Sequence, residues 1–343
     1  MPWVLDVRRE NEHMRSDAAP AVAARYARFA TEEAPGRSPL YAEWAAGVAD
    51  DTASVQILAG IPETHRQPPL VFAVTRLLGA PEGEYAAWAS WLRAHADEVV
   101  AEASRRSLQT NEPQRCAALL PALSEVAGPI ALLELGASAG LCLYPDRYSY
   151  RFRGGVDLDP ADGESIVVLS CAVSGDPPLR MPEVVWRAGV DLAPLDATDA
   201  ADRRFLTTLV WPGEEGRAAR IEAALDIVAA DPPLLIKGDA SDPAVLRAAV
   251  ALAPSGATLV VTTPGVLPHI PRAGRERLIA TLRELDVVWV SIDPPGLHSA
   301  WDPPVDPETW GGFVLGRDGA PLAAVDPLGG FVEWRAGRAH PPG

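Results

Sequence analysis

Cysteine is scarce in this chain of 343 residues: Cys116, Cys142 and Cys171 are the only three. They are too few and too widely spaced for a disulfide framework or a zinc site, and no metal is expected. Positive charge is short as well. Thirty Lys and Arg stand against 46 Asp and Glu, a net charge of −16, with an isoelectric point near 4.8. The clustered cations that nucleic acid or an anionic membrane would require are missing, so neither is expected as a partner. No apolar run approaches membrane-spanning length, and Met1 to Asp17 is charged and lacks the apolar stretch of a signal peptide. A soluble cytoplasmic protein that handles a small molecule is the expectation. Hydrophobic residues, by contrast, make up 48% of the chain, enough for a sizeable core, and the 34 prolines are spread throughout. Scattered in this way they stiffen loops rather than mark one linker.

From Ala18 to about Ala127 the pattern is helical and Ala-rich. Tyr85, Trp88, Leu92 and His95 fall on one face at three- and four-residue steps, which is the helical repeat. Pro20, Pro39, Pro62 and Pro68–Pro69 punctuate the region, since proline is accepted in a first turn and excluded from the interior. Five or six helices fit here. Thr110 or Asn111 caps one more through Leu123, with Glu112 and Pro113 in its first turn. Past Gly128 short apolar strands alternate with helices, the signature of a parallel sheet. The strands are expected at Ile130 to Leu135, Val184 to Val190, Leu234 to Ile236, Thr258 to Thr263 and Val287 to Ile292. Helices are expected at Ala139 to Asp146, Ala201 to Leu209, Glu214 to Val228, Pro243 to Ala253 and Arg272 to Leu285. Tyr148 to Ser174 reads as a β-hairpin insert, and Trp310 to Trp334 as an antiparallel finish. The expected fold is α/β, a doubly wound, mostly parallel Rossmann-like sheet over residues 128–343. Residues 1–127 form an N-terminal helical cap domain.

The most informative segment runs from Ile130 to Leu141, where a buried strand meets a small-residue turn and then an expected helix. Gly136 lets the chain turn, Ala137, Ser138 and Ala139 keep side chains small, and Gly140 allows close packing. A helix start at this point would aim free N–H groups at a ligand. With Glu134 ahead of the first glycine, the pattern resembles the E/D-x-G-x-G-x-G loop of S-adenosylmethionine (SAM) methyltransferases, with Ser138 where many carry glycine. No Gly-Lys-Ser/Thr follows, which speaks against a phosphate-binding P-loop. A plain packing turn is the alternative. Gly136-Ala-Ser138-Ala-Gly140 also has the spacing of a nucleophile elbow, with Asp239 and His269 following in triad order.

Ligand sites in such sheets lie beyond the carboxyl ends of the strands. Asp191 ends a strand and is placed to accept from a ribose diol, with Asp157 as a competitor at the shorter offset. Asp239, after the next strand, is a candidate for an adenine contact. Glu134, Gly136, Ala137, Ser138, Gly140, Asp191 and Asp239 therefore make up the expected cofactor set, with SAM as the ligand if a methyl donor is used at all. Gln109, Thr110, Asn111, Glu112 and Arg115 gather polar groups at a helix start. There Glu112 is a candidate general base, Arg115 an anion-orienting group, and Gln109, Thr110 and Asn111 substrate contacts. A capping box with an internal salt bridge is the simpler account of the same residues. His269 is the second candidate base, because histidine titrates near neutrality. Arg147 joins Arg115 as a candidate for a departing anion. Trp211 and Tyr148 read as core aromatics, and His65, His95 and His298 as ordinary histidines.

Six runs occur in order along the chain: Arg105-Arg106-Ser107-Leu108-Gln109-Thr110-Asn111-Glu112, Glu134 to Leu141, Asp146-Arg147-Tyr148, Gly189-Val190-Asp191-Leu192, Val210-Trp211-Pro212 and Gly238-Asp239-Ala240. Together they resemble the actinobacterial DUF2332 family, from about residue 25 to the tail. The resemblance implies a fold similar to SAM-dependent methyltransferases and carries no assigned activity. Cys142 departs from the family's usual Asn, and Thr262-Thr263-Pro264 from an expected His-Ser pair. Three functions follow. The first is a SAM-using transferase acting on a small molecule in specialised metabolism, by in-line displacement under the helical cap. The second is a cofactor-free intramolecular displacement, such as ring closure of an amine onto a carbon with an anionic leaving group. The third is a non-catalytic subunit for a protein partner.

Overall fold

The computed structural model describes residues 18–109 and 111–336. The contacts divide into two compact units, one of residues up to Thr110 with Asp199–Ala219, the other of Asn111–Thr198 and Arg220 onward. The first unit is helical. Helix α1 covers residues 18–28 and ends in a π-type turn at Phe29–Glu33. Next come α2 (Pro39–Asp50), α3 (Thr52–Leu58), α4 (Pro68–Leu77), α5 (Tyr85–Ala94) and α6 (Ala96–Arg105). Pro39 and Pro68 occupy first turns as expected, and Ser38 and Asp51 cap α2 and α3 by accepting from Tyr41 N and Ala53 N. Tyr26, Phe29, Tyr41, Trp44, Phe72 and Trp88 are fully buried at its centre. Trp211 joins them from the later segment, 5.1 Å from Phe29 and 5.8 Å from Tyr41 by ring centroids. Such ring pairs each add about 0.5–1.5 kcal/mol beyond burial alone. Helix α8 (Ala200–Thr208) packs on α4.

The second unit opens with α7 (Arg115–Ser124), so the division expected near residue 127 falls at 110 and α7 belongs with the sheet. Its strands are β1 (Pro129–Leu135), β2 (Ser149–Arg153), β3 (Asp157–Leu158), β4 (Val168–Ser174), β5 (Glu183–Asp191) and β6 (Leu234–Lys237). They continue with β7 (Thr258–Pro264), β8 (Val288–Asp293), β9 (Phe313–Arg317), β10 (Ala320–Val325) and β11 (Phe331–Trp334). Helix α9 (Arg217–Ala230) precedes β6, α10 (Pro243–Val250) precedes β7 and α11 (Arg272–Glu284) precedes β8. The described strands form one sheet in the order β3-β2-β4-β11-β10-β9-β8-β7-β1-β5-β6. From β8 to β6 every neighbouring pair is parallel, and β9, β10 and β11 give the antiparallel finish. Chain order reverses beside β1, where β5 and β6 lie to one side and β7 and β8 to the other. Helices α10 and α11 cover the face that carries Leu133, Leu135, Val190 and Val261. Helix α7 lies against β4, β8 and β9, and β1 is buried from Ile130 to Leu135, Glu134 included.

Two expectations need correction. No α-helix follows the Gly136 turn: Ala139 to Asp146 holds only a 3-10 turn at Leu141–Leu143. Gly140 stands in the left-handed region at φ +78°, and Pro145 disfavours helix at the residue before it, so too few residues remain for an α-helix. The segment after Tyr148 is also more than an inserted hairpin. Strands β2 and β3 form the hairpin, but β4 runs parallel to both β2 and β11 and so extends the main sheet.

Candidate functional site

The turn after β1 is held by its own chain. Gly136 takes φ +77° and Ser138 φ +52°. Each backbone N–H from Gly136 to Gly140 has an acceptor inside the protein. Gly136 N and Ala137 N donate to Val190 O at 2.8 and 3.4 Å, and Gly140 N to Ala137 O at 2.6 Å. Ser138 N donates to Asp191 Oδ2 at 2.8 Å, and Ala139 N to Asn111 Oδ1 at 3.2 Å. The other ends of both side chains are used too: Asp191 Oδ1 accepts from Ala193 N at 2.8 Å, and Asn111 Nδ2 donates to Ser138 Oγ. Asn111 therefore clamps the turn rather than capping α7, whose N-cap is Gln114. The Ala137 methyl sits where a side chain on Gly189 would stand, since a Cβ there would lie 2.3 Å from it. The expected row of free N–H groups at a helix start is absent, and Ser138 meets an amide instead of the histidine that a hydrolase elbow needs.

Beneath the turn two polar groups sit side by side. Glu134 of β1 pairs in register with Thr262 of β7, and both are buried, 4% and 1% exposed. Glu134 Oε2 and Thr262 Oγ1 have no hydrogen-bond partner. Burial, then the neighbouring Cys142, hold the Glu134 carboxyl well above the usual carboxylate range, against the opposing pull of Arg115. Burial thus favours the protonated form of Glu134. The Cys142 thiol is pushed up as well, by its hydrogen bond with Cys116 and by burial, so it stays a thiol.

Around this pair the other candidates take defined places. Arg115 donates from Nη1 to Pro264 O at 2.8 Å and from Nε to Pro327 O at 3.0 Å, pinning the chain where it leaves β7 and the turn before β11. Glu112, 1% exposed, accepts from Arg220 Nε at 3.0 Å and from Gln114 N at 3.1 Å. That is the internal salt bridge and local cap. His269 closes the 3-10 turn Leu267–His269 after β7. Lost hydration, then the charge of Arg115, push its pKa below the ordinary value, which favours the neutral imidazole that can accept a proton. Gly136, Ala137, Ser138, Gly140, Asn111, Glu134, Asp191, Arg115 and His269 thus surround the carboxyl ends of β1 and β7.

The family-model comparison matches residues 23–334 to DUF2332, described as an uncharacterized protein conserved in bacteria. The chain belongs to this family. No curated protein and no solved structure matches it. Cys142 and Thr262 both fall against Glu134.

Other expected residues lie elsewhere. Asp239 is exposed and spends Oδ1 on Ser241 N at 2.8 Å, a local turn, while Asp242 caps α10. Asp157 lies in β3 at the far edge of the sheet and faces Arg151 at 4.0 Å, which removes it as a rival to Asp191. Arg147, half exposed, pairs with Asp146 at 3.7 Å and Asp162 at 3.9 Å. Gln109 belongs to the helical unit, and Thr110 lies outside the described residues. Tyr148 is core, its hydroxyl donating to Leu141 O at 2.6 Å. Among the described residues no group of three His, Cys, Asp or Glu gathers for a metal ion, and no helix is long and apolar enough to cross a membrane. Sequence reasoning missed one pair, Asp293 and His298. Asp293 ends β8 with a fully buried carboxyl, and His298 Nε2 lies 3.7 Å from it. An aspartate closing a strand at the carboxyl edge with a histidine five residues on was the available signal.

Proposed function

We propose that the chain is an enzyme that performs nucleophilic substitution on a small molecule at the carboxyl edge of β1 and β7, on a Rossmann-like, SAM-methyltransferase-like sheet. The observation that carries the reading is the pair Glu134 and Thr262: two buried polar side chains in register, with unpartnered oxygens, beside the reversal of strand order. Ligands in open α/β sheets bind at such reversals, and native proteins seldom leave buried polar atoms unpaired without a role.

Of the two electrophile sources, the substrate itself is favoured over SAM. The turn that would cradle the cofactor has its N–H groups filled by Val190, Asp191, Asn111 and Ala137. Asp191 has one bond on each oxygen, and burial disfavours the charged form of the neighbouring Glu134 carboxyl. These residues fit SAM poorly. In the cofactor-free reaction the substrate amine attacks its own carbon, the carbon–leaving-group bond breaks, and the group departs with the electron pair as an anion. His269 takes the amine proton. The protonated form of Glu134 and the Thr262 hydroxyl are donors suited to the departing anion.

Calorimetric titration with SAM and S-adenosylhomocysteine tests the choice. No binding by folded protein is expected. Micromolar binding that Asp191→Ala abolishes overturns it in favour of methyl transfer. A thermal-shift screen of amines carrying phosphate, sulfate or carboxylate leaving groups tests the site: hits are expected to stabilise the native protein and to lose that effect in Thr262→Val. At a hundredfold excess over Kd a ligand adds about 2.7 kcal/mol.

A further inference from the structure

A second concavity lies beside α11. Its volume is about 500 Å³, and one face of α11 faces the loop after β8 across it. That size suits a drug-sized ligand. Arg272, Arg275 and Arg283 fall at helical spacing on this lining, with Ile279 and Ala280 as an apolar floor and His298 and Ser299 on the opposite wall. In a chain of net charge −16 this concentration of cations is a local reversal. The one lining carboxylate, Glu276, is spent on Arg272 Nε at 2.8 Å. Arg283 Nη2 donates to Ala300 O at 2.9 Å, and Arg275 Nη1 makes only long contacts, 3.3 and 3.4 Å, to Leu267 O and Ile270 O. A guanidinium carries five donors, so most of those on this wall are unspent. Arg272 and Arg283 are eleven residues apart, about 16 Å along the helix axis. The wall therefore suits an elongated ligand better than a single small ion.

We infer that the groove between α11 and the loop 296–300 binds a small polyanion, a molecule carrying phosphate or carboxylate groups. The arginines grip its charged groups in forked pairs and the Ile279–Ala280 floor takes its carbon skeleton. Its lining includes none of Glu134, Thr262 and His269, so the proposal stands whether or not that reading holds.

The test is calorimetric titration of the full chain in 0.15 M salt with pyrophosphate, and in parallel with citrate. Saturable binding of either is expected, and the tighter of the two names the anion class. Arg272 is 84% exposed and meets Glu276 alone, so Arg272→Gln spares the fold and is expected to weaken binding about tenfold, the loss of one charge-assisted pair. Glu276→Gln removes the competing carboxylate and is expected to tighten binding several-fold. Arg247→Gln on α10, outside the groove, is expected to change nothing. The proposal is overturned if neither anion saturates below 10 mM, an upper limit of roughly 3 kcal/mol of affinity. It is equally overturned if Arg272→Gln and Glu276→Gln shift affinity in the same direction, or if Arg247→Gln weakens binding as much as Arg272→Gln.

Discussion

Glu134 is the residue at which stability and function separate. Burial raises the pKa of its carboxyl, while in the unfolded chain it ionises at an ordinary pKa of about 4.3. The native state therefore binds the extra proton. The group's contribution to stability is full below the unfolded pKa and is lost as pH rises toward the raised native one. Glu134→Gln keeps the shape and removes the titration. Its stability relative to the native sequence is expected to climb between pH 4 and pH 8, read from urea midpoints; parallel curves for the two proteins would contradict the assignment. Thr262→Val makes the companion case. Its hydroxyl is buried without a partner, and such a group costs about 1–3 kcal/mol. The substitution is expected to raise unfolding free energy by about 1 kcal/mol while removing ligand stabilisation, a combination that simple core packing does not produce. At this scale the sequence marked Glu134, Gly136 and Asp191 through the strand–turn spacing. It did not reveal that Asp191 turns inward to Ser138 N, because that depends on the left-handed Ser138, a conformation without a signature in residue type.

The turn between β1 and the 3-10 segment is an element built by distant clamps. Asp191 arrives from β5 and Asn111 from the approach to α7, and each satisfies one N–H of the turn. Asp191→Ala removes the acceptor of Ser138 N inside the buried turn and is expected to cost about 1–3 kcal/mol by chemical denaturation, one unpaired donor on the usual scale. Asp191→Asn keeps an amide oxygen that can accept from Ser138 N and is expected to cost less than half as much; equal losses for the two would mean the charge, not the clamp, holds the turn. The parallel strands beside the turn were legible to within one residue at each end, because a run covered on both faces is apolar throughout and bounded by turn residues. The helix after Gly140 was not, since its apolar residues suit a 3-10 turn as well as a helix. Strand β4 reads locally as half of a hairpin. Its partnership with β11 joins residues more than 150 positions apart, and local pattern carries no information on such pairings.

At the scale of the second unit, the sheet has a broad centre and a narrow waist. Strand β1 pairs along its length with β5 and from Ile130 to Glu134 with β7. Strand β11, in contrast, joins β4 through only three register pairs, Phe331↔Ala172, Val332↔Val173 and Glu333↔Ser174. Within the sheet, β4, β2 and β3 join the other strands through that short seam. Amide exchange is therefore expected to be slowest in β1, β7 and β8, faster in β2 and β4, and fastest in the edge strands β3 and β6. Val332→Pro probes the seam directly. Val332 pairs with Val173 on one side and Val325 on the other, and proline there removes a ladder donor at a cost of about 3 kcal/mol or more. Exchange in β2 and β4 is expected to accelerate while β1 and β7 keep their protection. A uniform rise across all the strands would instead show that the sheet opens as one cooperative unit, with the waist coupled to the centre through β10 and β9.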